Sequence, residues 1–93
     1  MKKVTYFHLP DCPYCKQADQ VLAELIAENP EYGKVEFEKI NETKNPEIAD
    51  QYDYYANPSM FIGKEKIYEA VLFESKEECR AHVLEVLQRA MED

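Results

Sequence analysis

The chain has 93 residues, 45% of them hydrophobic, which is enough for one compact domain over residues 1–93 and too little for two. Lys and Arg number 11 against 19 Asp and Glu, a net charge of -8 that repels phosphate backbones, so no nucleic acid partner is expected. The apolar runs are short, far below the roughly 20 residues of a membrane helix, so no membrane partner is expected either, and their regular recurrence argues against disorder.

Lys2 and Lys3 ahead of Val4, Tyr6 and Phe7 have the charge order of a signal peptide. Thr5 and His8 interrupt the apolar run and no A-x-A cleavage site follows, so a soluble, cytoplasmic protein is expected. Residues 4 to 9 combine β-branched and aromatic types up to Pro10, which reads as a first, buried strand. Beyond Cys12 the period changes: Ala18, Val21, Leu22, Leu25 and Ile26 recur at helical spacing, with Pro13 suited to the first turn and Asn29, Pro30 and Gly33 as the stop. Val35, Phe37 and Ile40 alternate with Glu36 and Glu38 as a second strand ending at Asn41. Asn45, Pro46 and Glu47 read as the N-cap and first turn of a short helix, on which Ile48, Tyr52 and Tyr55 share the face that packs on the sheet. Tyr54 is left as a candidate substrate contact. Residues 59 to 62 and 66 to 70 flank a turn at Gly63 and Lys64, predicting an antiparallel hairpin. Ser75 and Glu78 have capping-box spacing, and Cys79, Val83, Val86, Leu87, Ala90 and Met91 then mark a terminal helix. The order β-α-β-α-β-β-α predicts an α/β fold with a mixed four-stranded sheet flanked by helices.

Cys12 and Cys15 form C-x-x-C at the junction of the first strand with the first helix. Backbone N–H groups and the positive end of the helix dipole favour a thiolate there. Cys12 would attack a disulfide, and Cys15, one turn inward, would resolve the mixed disulfide. Pro13 and Tyr14 hold the short loop between them, and Tyr14 is placed to flank a substrate.

Cys12-Pro13-Tyr14-Cys15 resembles the active-site motif of dithiol glutaredoxins, within the thioredoxin-fold superfamily. Length, element order and the Asn57-Pro58-Ser59 step before a strand match as well, over essentially the whole chain. The resemblance implies a thioredoxin fold and thiol-disulfide oxidoreductase activity on disulfide-containing proteins or small molecules. It also implies a cis Pro58 facing the motif, with the backbone of Asn57 pairing to an extended substrate. The implied substrate-binding residues are Pro13, Tyr14, Asn57 and Pro58; no bound cofactor is implied, with glutathione as a candidate cosubstrate. Several glutaredoxin features are replaced here. Leu9 and Asp11 stand where a Lys is usual, Ala56-Asn57 where Thr-Val precedes the proline, and Val71-Leu72-Phe73-Glu74 where a Gly-Gly pair receives glutathione. Ser75 keeps a capping hydroxyl. These departures leave a thioredoxin-type flavoprotein reductase as the alternative electron donor.

Other readings compete. A zinc site needs four ligands, and His8, Cys79 and His82 are poorly spaced to complete one with the motif, so no metal is expected. Cys79 and His82 read as core and surface of the terminal helix, and His8 as a rim position. An iron-sulfur cluster carrier or a non-catalytic binding module are the remaining function classes. A monomer is the expected form.

Overall fold

The computed structural model describes residues 1–92. In chain order the elements are β1 (Val4–His8), α1 (Pro13–Glu28), a 3-10 helix (Pro30–Lys34), β2 (Phe37–Asn41), α2 (Pro46–Ala49), β3 (Ser59–Ile62), β4 (Glu65–Glu69) and α3 (Lys76–Ala90). They build one mixed four-stranded sheet in the order β2-β1-β3-β4. β1 pairs parallel with β2, Val4 facing Phe37, and antiparallel with β3, Tyr6 facing Met60; β3 and β4 form the expected hairpin. Gly63, at φ 61, supplies the left-handed turn residue that the hairpin requires.

The strand period of two decides which core each residue joins. Val4 and Tyr6 of β1, with Met60 and Tyr68, meet Ala18, Val21 and Leu25 of α1 and Cys79, Val83, Val86 and Leu87 of α3. Phe7, one residue out of phase with Tyr6, points to the opposite face, where it packs with Ile40 and Phe61 under Ile48, Tyr52 and Tyr54. Both faces of β1 are thus covered, which is why it reads as a continuous apolar run. α1 and α3 are also tied at their rims by Lys76 to Glu24, 2.8 Å, and Arg80 to Glu28, 2.5 Å. α3 begins with the capping box that its sequence predicts: Ser75 Oγ accepts from the Glu78 N–H, and the Glu78 carboxylate accepts from the Ser75 N–H.

β1 ends at His8, one residue short of the expected strand, and four other boundaries differ from the expectation, each for a local reason. The segment after α1 continues as the 3-10 helix, because Asn29 Oδ1 accepts from the Glu31 N–H and starts a new turn before Pro30 can end the chain's helicity. Val35 therefore closes that turn, and β2 starts at Phe37. β4 spans Glu65–Glu69, and Ala70 instead donates its N–H to the Pro58 carbonyl just beyond the strand. α2 is a single turn, and Asn45 makes no side-chain cap, since its amide donates to the Asn41 carbonyl at 3.0 Å and ties the turn to the end of β2.

The shortness of α2 also overturns the assignment of the tyrosines. With no helix beyond Ala49, the 3.6-residue period does not reach Tyr55, which is 91% exposed. Tyr54 turns inward instead, stacked on Phe7 at 4.7 Å between ring centroids, with its hydroxyl donating to Glu42 at 2.7 Å. Tyr54 is core, and Tyr52 packs beside it on Phe7 and Phe61 as expected.

Candidate active site

β1 delivers the chain to a tight turn at Pro10 and Asp11, where the Cys12 N–H donates back to the Leu9 carbonyl at 3.4 Å. Cys12 is the N-cap of α1, and its sulfur does the capping: Sγ accepts from the Cys15 N–H at 3.3 Å. Pro13 follows at the first helical position, where its missing N–H costs nothing. The sulfur that C-x-x-C spacing marks as the attacking one is therefore half-exposed at the positive end of a 16-residue helix. Cys15 sits one turn further in and is 3% exposed. Burial first, and its hydrogen-bonded approach to Cys12 second, push the Cys15 thiol up to about 12. The two sulfurs thus occupy unlike environments, one at the surface and one held as a thiol beneath it. Both are free thiols, as is Cys79.

The segment before β3 forms the opposite wall. The Asn57-Pro58 peptide is cis, Pro58 is buried, and Cys12 Sγ lies 3.6 Å from the Asn57 carbonyl oxygen, to which its S–H donates. This wall is pinned from behind. Glu69 of β4 accepts the N–H groups of Tyr55 and Ala56 at 2.5 and 2.7 Å, and Ser59 Oγ donates to the Ala56 carbonyl at 2.6 Å. Partial burial opposes the Glu69 charge, but Lys66 and the two backbone donors outweigh it and hold this carboxyl below its ordinary range. The Asn57 side chain is fixed in turn by donating to Glu42 at 2.9 Å.

A polar network runs under Cys15. The Tyr6 hydroxyl donates to Asp19 at 2.7 Å and also lies 3.3 Å from the Cys15 carbonyl, while Lys39 of β2 grips both Asp19 oxygens at 3.1 and 3.2 Å. Burial, and then Asp19, raise the Tyr6 pKa, so this hydroxyl stays a donor. Sequence reasoning missed this network, although a signal existed: Tyr6 shares the inward parity of Val4, and a buried tyrosine hydroxyl needs a partner.

Of the residues singled out from sequence, Cys12, Cys15, Asn57 and Pro58 converge. Pro13 is exposed beside them. Tyr14 is half-buried, and its hydroxyl accepts the Phe73 N–H at 2.7 Å, so it braces the turn after β4. His8 is half-buried at the end of β1, edge-on to Tyr6, and burial followed by Lys39 lowers its pKa. Cys79 is fully buried under the Tyr68 hydroxyl, 3.5 Å away, and burial raises its pKa; exposed His82 stacks on the ring of Tyr68.

Residues 2–86 match the family model described as Thioredoxin. The chain belongs to the thioredoxin family. A curated relative named thioredoxin, from Methanocaldococcus jannaschii, is 37% identical, with 74% of this chain and 91% of that protein covered. Among solved structures, thioredoxin 1 from the thermophilic eubacterium Thermosipho africanus TCF52B superposes with a TM-score of 0.56 at 23% identity, covering 97% of this chain and 99% of that one. A structure described as that of a malarial protein gives a TM-score of 0.58 at 21% identity, covering 89% and 93%. At such identities these two likenesses speak for the thioredoxin fold alone. Among the described residues, no helix is long and apolar enough to cross a membrane.

Proposed function

We propose that this thioredoxin-family protein is a dithiol thiol-disulfide oxidoreductase in which Cys12 attacks and Cys15 resolves. The observation that carries the reading is the asymmetry of the two sulfurs. Cys12 is accessible at the N-terminus of α1 against the cis-proline wall, whereas Cys15 is buried one turn below with its thiol pushed up to about 12. The Cys12 thiolate attacks one sulfur of a substrate disulfide, forming a mixed disulfide and expelling the other sulfur as a thiolate, which takes up a proton. Cys15 then gives up its proton and attacks Cys12 Sγ, forming the Cys12–Cys15 disulfide and releasing the second substrate thiol. The substrate gains two electrons, and the protein must regain two from a donor. Pro13, Asn57 and Pro58 flank Cys12, whose thiol donates to the Asn57 carbonyl, and the backbone of Asn57 is the proposed partner of an extended substrate.

The electron donor divides this reading into two forms. Val71, Leu72 and Phe73 fill the position where glutaredoxins present glycines to glutathione, and the relative from Methanocaldococcus jannaschii carries the name thioredoxin. Both favour a flavoprotein disulfide reductase over a glutaredoxin-like cycle with glutathione.

The test is reduction of the mixed disulfide between glutathione and 2-mercaptoethanol, coupled to glutathione and its reductase, for wild type, Cys12→Ser and Cys15→Ser. No turnover by wild type, together with a Cys12–Cys15 disulfide that forms on oxidation and is reduced by a thioredoxin-type reductase, is the expected result. Turnover that survives Cys15→Ser and dies with Cys12→Ser would establish the glutaredoxin-like form instead. Failure of the Cys12–Cys15 disulfide to form at all would refute the dithiol mechanism.

A further inference from the structure

At the opposite end of β1 from Cys12, Thr5 borders a cavity of about 500 Å³. Its walls gather three lysines from two parts of the chain: Lys2 and Lys3 ahead of β1, and Lys64 in the β3–β4 turn, brought alongside by the pairing of Val4 with Ile62. Tyr52 and Ile62 complete the lining, and no carboxylate belongs to it. The cavity of about 400 Å³ beside α2 has the reverse character, with Glu42, Asp50 and Asp53 in its walls and no cation. The lysine charges are only partly neutralised. Lys3 pairs with Glu38 of β2 at 3.1 Å, but Lys64 Nζ donates to the uncharged Gln51 carbonyl at 3.0 Å and lies 3.9 Å from the centroid of the Tyr52 ring. Lys2 has no carboxylate partner among the described residues. A second observation is independent of these charges. Thr5 is only 5% exposed, and its hydroxyl has no hydrogen-bond partner among the described residues. Buried hydroxyls as a rule have one, so this cavity offers a donor that the fold itself does not use.

We propose that this cavity binds a small organic phosphate, a monoester whose head accepts from the Thr5 hydroxyl among Lys2, Lys3 and Lys64 while its apolar body lies on Tyr52 and Ile62. The site is separate from the thiols and does not rest on their chemistry. Lysine meets phosphate as a compact point charge, and two ammonium groups without a carboxylate partner match a dianion better than a monoanion. The cavity is larger than a bare phosphate, and its apolar walls give the rest of the ligand a surface to cover. The net charge of -8 repels a long polyanion, but a small ligand meets mainly the charges within a Debye length, about 8 Å at physiological salt.

The experiment titrates the full chain, in its reduced form, with phenyl phosphate, inorganic phosphate and benzoate, and follows the backbone amides by nitrogen-proton correlation spectra. Phenyl phosphate should move the amides of Lys3, Thr5, Gly63 and Lys64, leave those of Cys12 and Cys15 in place, and saturate in the millimolar range or below. Inorganic phosphate lacks the apolar body and benzoate the dianion, so each should bind at least about fivefold more weakly. Lys2→Gln, at an exposed position, and Thr5→Val, which keeps the shape and loses the hydroxyl, should each weaken phenyl phosphate about fivefold to tenfold. Thr5→Val should also melt no lower than wild type, because the hydroxyl it removes has no partner to lose. No saturable shift with phenyl phosphate, shifts centred on the motif, benzoate binding as tightly as phenyl phosphate, or an affinity that neither variant changes overturns the proposal. A folded Thr5→Val protein that melts well below wild type overturns it as well, since the hydroxyl would then be satisfied within the fold.

Discussion

Replacing Phe73 with glycine should stabilise the protein, although it removes the largest side chain of its turn. Phe73 sits at φ 66 and its ring is 85% exposed, so the substitution gives up little burial. A side chain in the left-handed region costs about 1–2 kcal/mol through contact of Cβ with the backbone, and glycine relieves that cost. Glycine also gives the unfolded chain more freedom, which returns about 0.4–1 kcal/mol to the unfolded state. The bond from the Phe73 N–H to the Tyr14 hydroxyl involves only the backbone of residue 73 and is kept in either case. The net gain is about 0.5–1 kcal/mol, or a rise in Tm of roughly 2–8 °C for a domain of this size. Urea denaturation followed by circular dichroism, with Phe73→Ala as control, measures it; alanine keeps Cβ and so keeps the strain. A glycine variant no more stable than the alanine variant would refute the claim that this backbone is strained.

Further outcomes follow from the thiols, the polar network and the pinned wall. With its pKa pushed up to about 12, Cys15 is thiolate in only about one molecule in ten thousand at pH 8. Brief treatment of the native reduced protein with iodoacetamide should therefore label Cys12 alone by mass spectrometry, with Cys15 and Cys79 labelled only in denaturant. Because the Cys15 thiol is raised in the folded state, stability is full below the ordinary thiol pKa and should fall as pH climbs from about 9 toward 12, a fall that Cys15→Ser reduces. Tyr6→Phe should cost about 1–3 kcal/mol in thermal unfolding, since it strips Asp19 and the Cys15 carbonyl of a buried donor. Lys39→Ala, which removes a surface partner of Asp19, should cost less than about 1 kcal/mol. The lowered carboxyl of Glu69 contributes stability that is present above the ordinary glutamate pKa and lost as pH falls through its own. The acid limb of a stability-pH profile should accordingly be shallower in Glu69→Gln.

Much of the fold was legible because its signals are local and periodic. The switch from a β-branched run to 3.6-residue spacing located β1 and α1, and Ser75 with Glu78 located the start of α3. The motif cysteines were legible as well, since C-x-x-C before a helix carries its own chemistry, whereas the cis Asn57-Pro58 step came from the resemblance to glutaredoxins. What escaped depends on side-chain partners and element lengths that spacing alone does not reveal. Asn45 reads as a cap until Asn41 is brought within reach of its amide, and Tyr54 and Tyr55 exchange roles because one missing helical turn changes their parity. Asp19, Lys39, Glu42 and Glu69 look like ordinary surface charges in a chain of net charge -8, and only the fold shows which of them brace the thiols and the cis-proline wall.

The capping of α1 by the Cys12 sulfur makes a backbone proton a witness to the state of a side chain. The Cys15 N–H has Cys12 Sγ as its acceptor, and the strength of that acceptor changes with the charge and bonding of the sulfur. Thiolate, thiol, mixed disulfide and internal disulfide each polarise the N–H differently, so one amide resonance in a nitrogen-proton correlation spectrum follows the sulfur through every stage. Its shift would count the populations directly, without a label on the sulfur and without quenching the mixture.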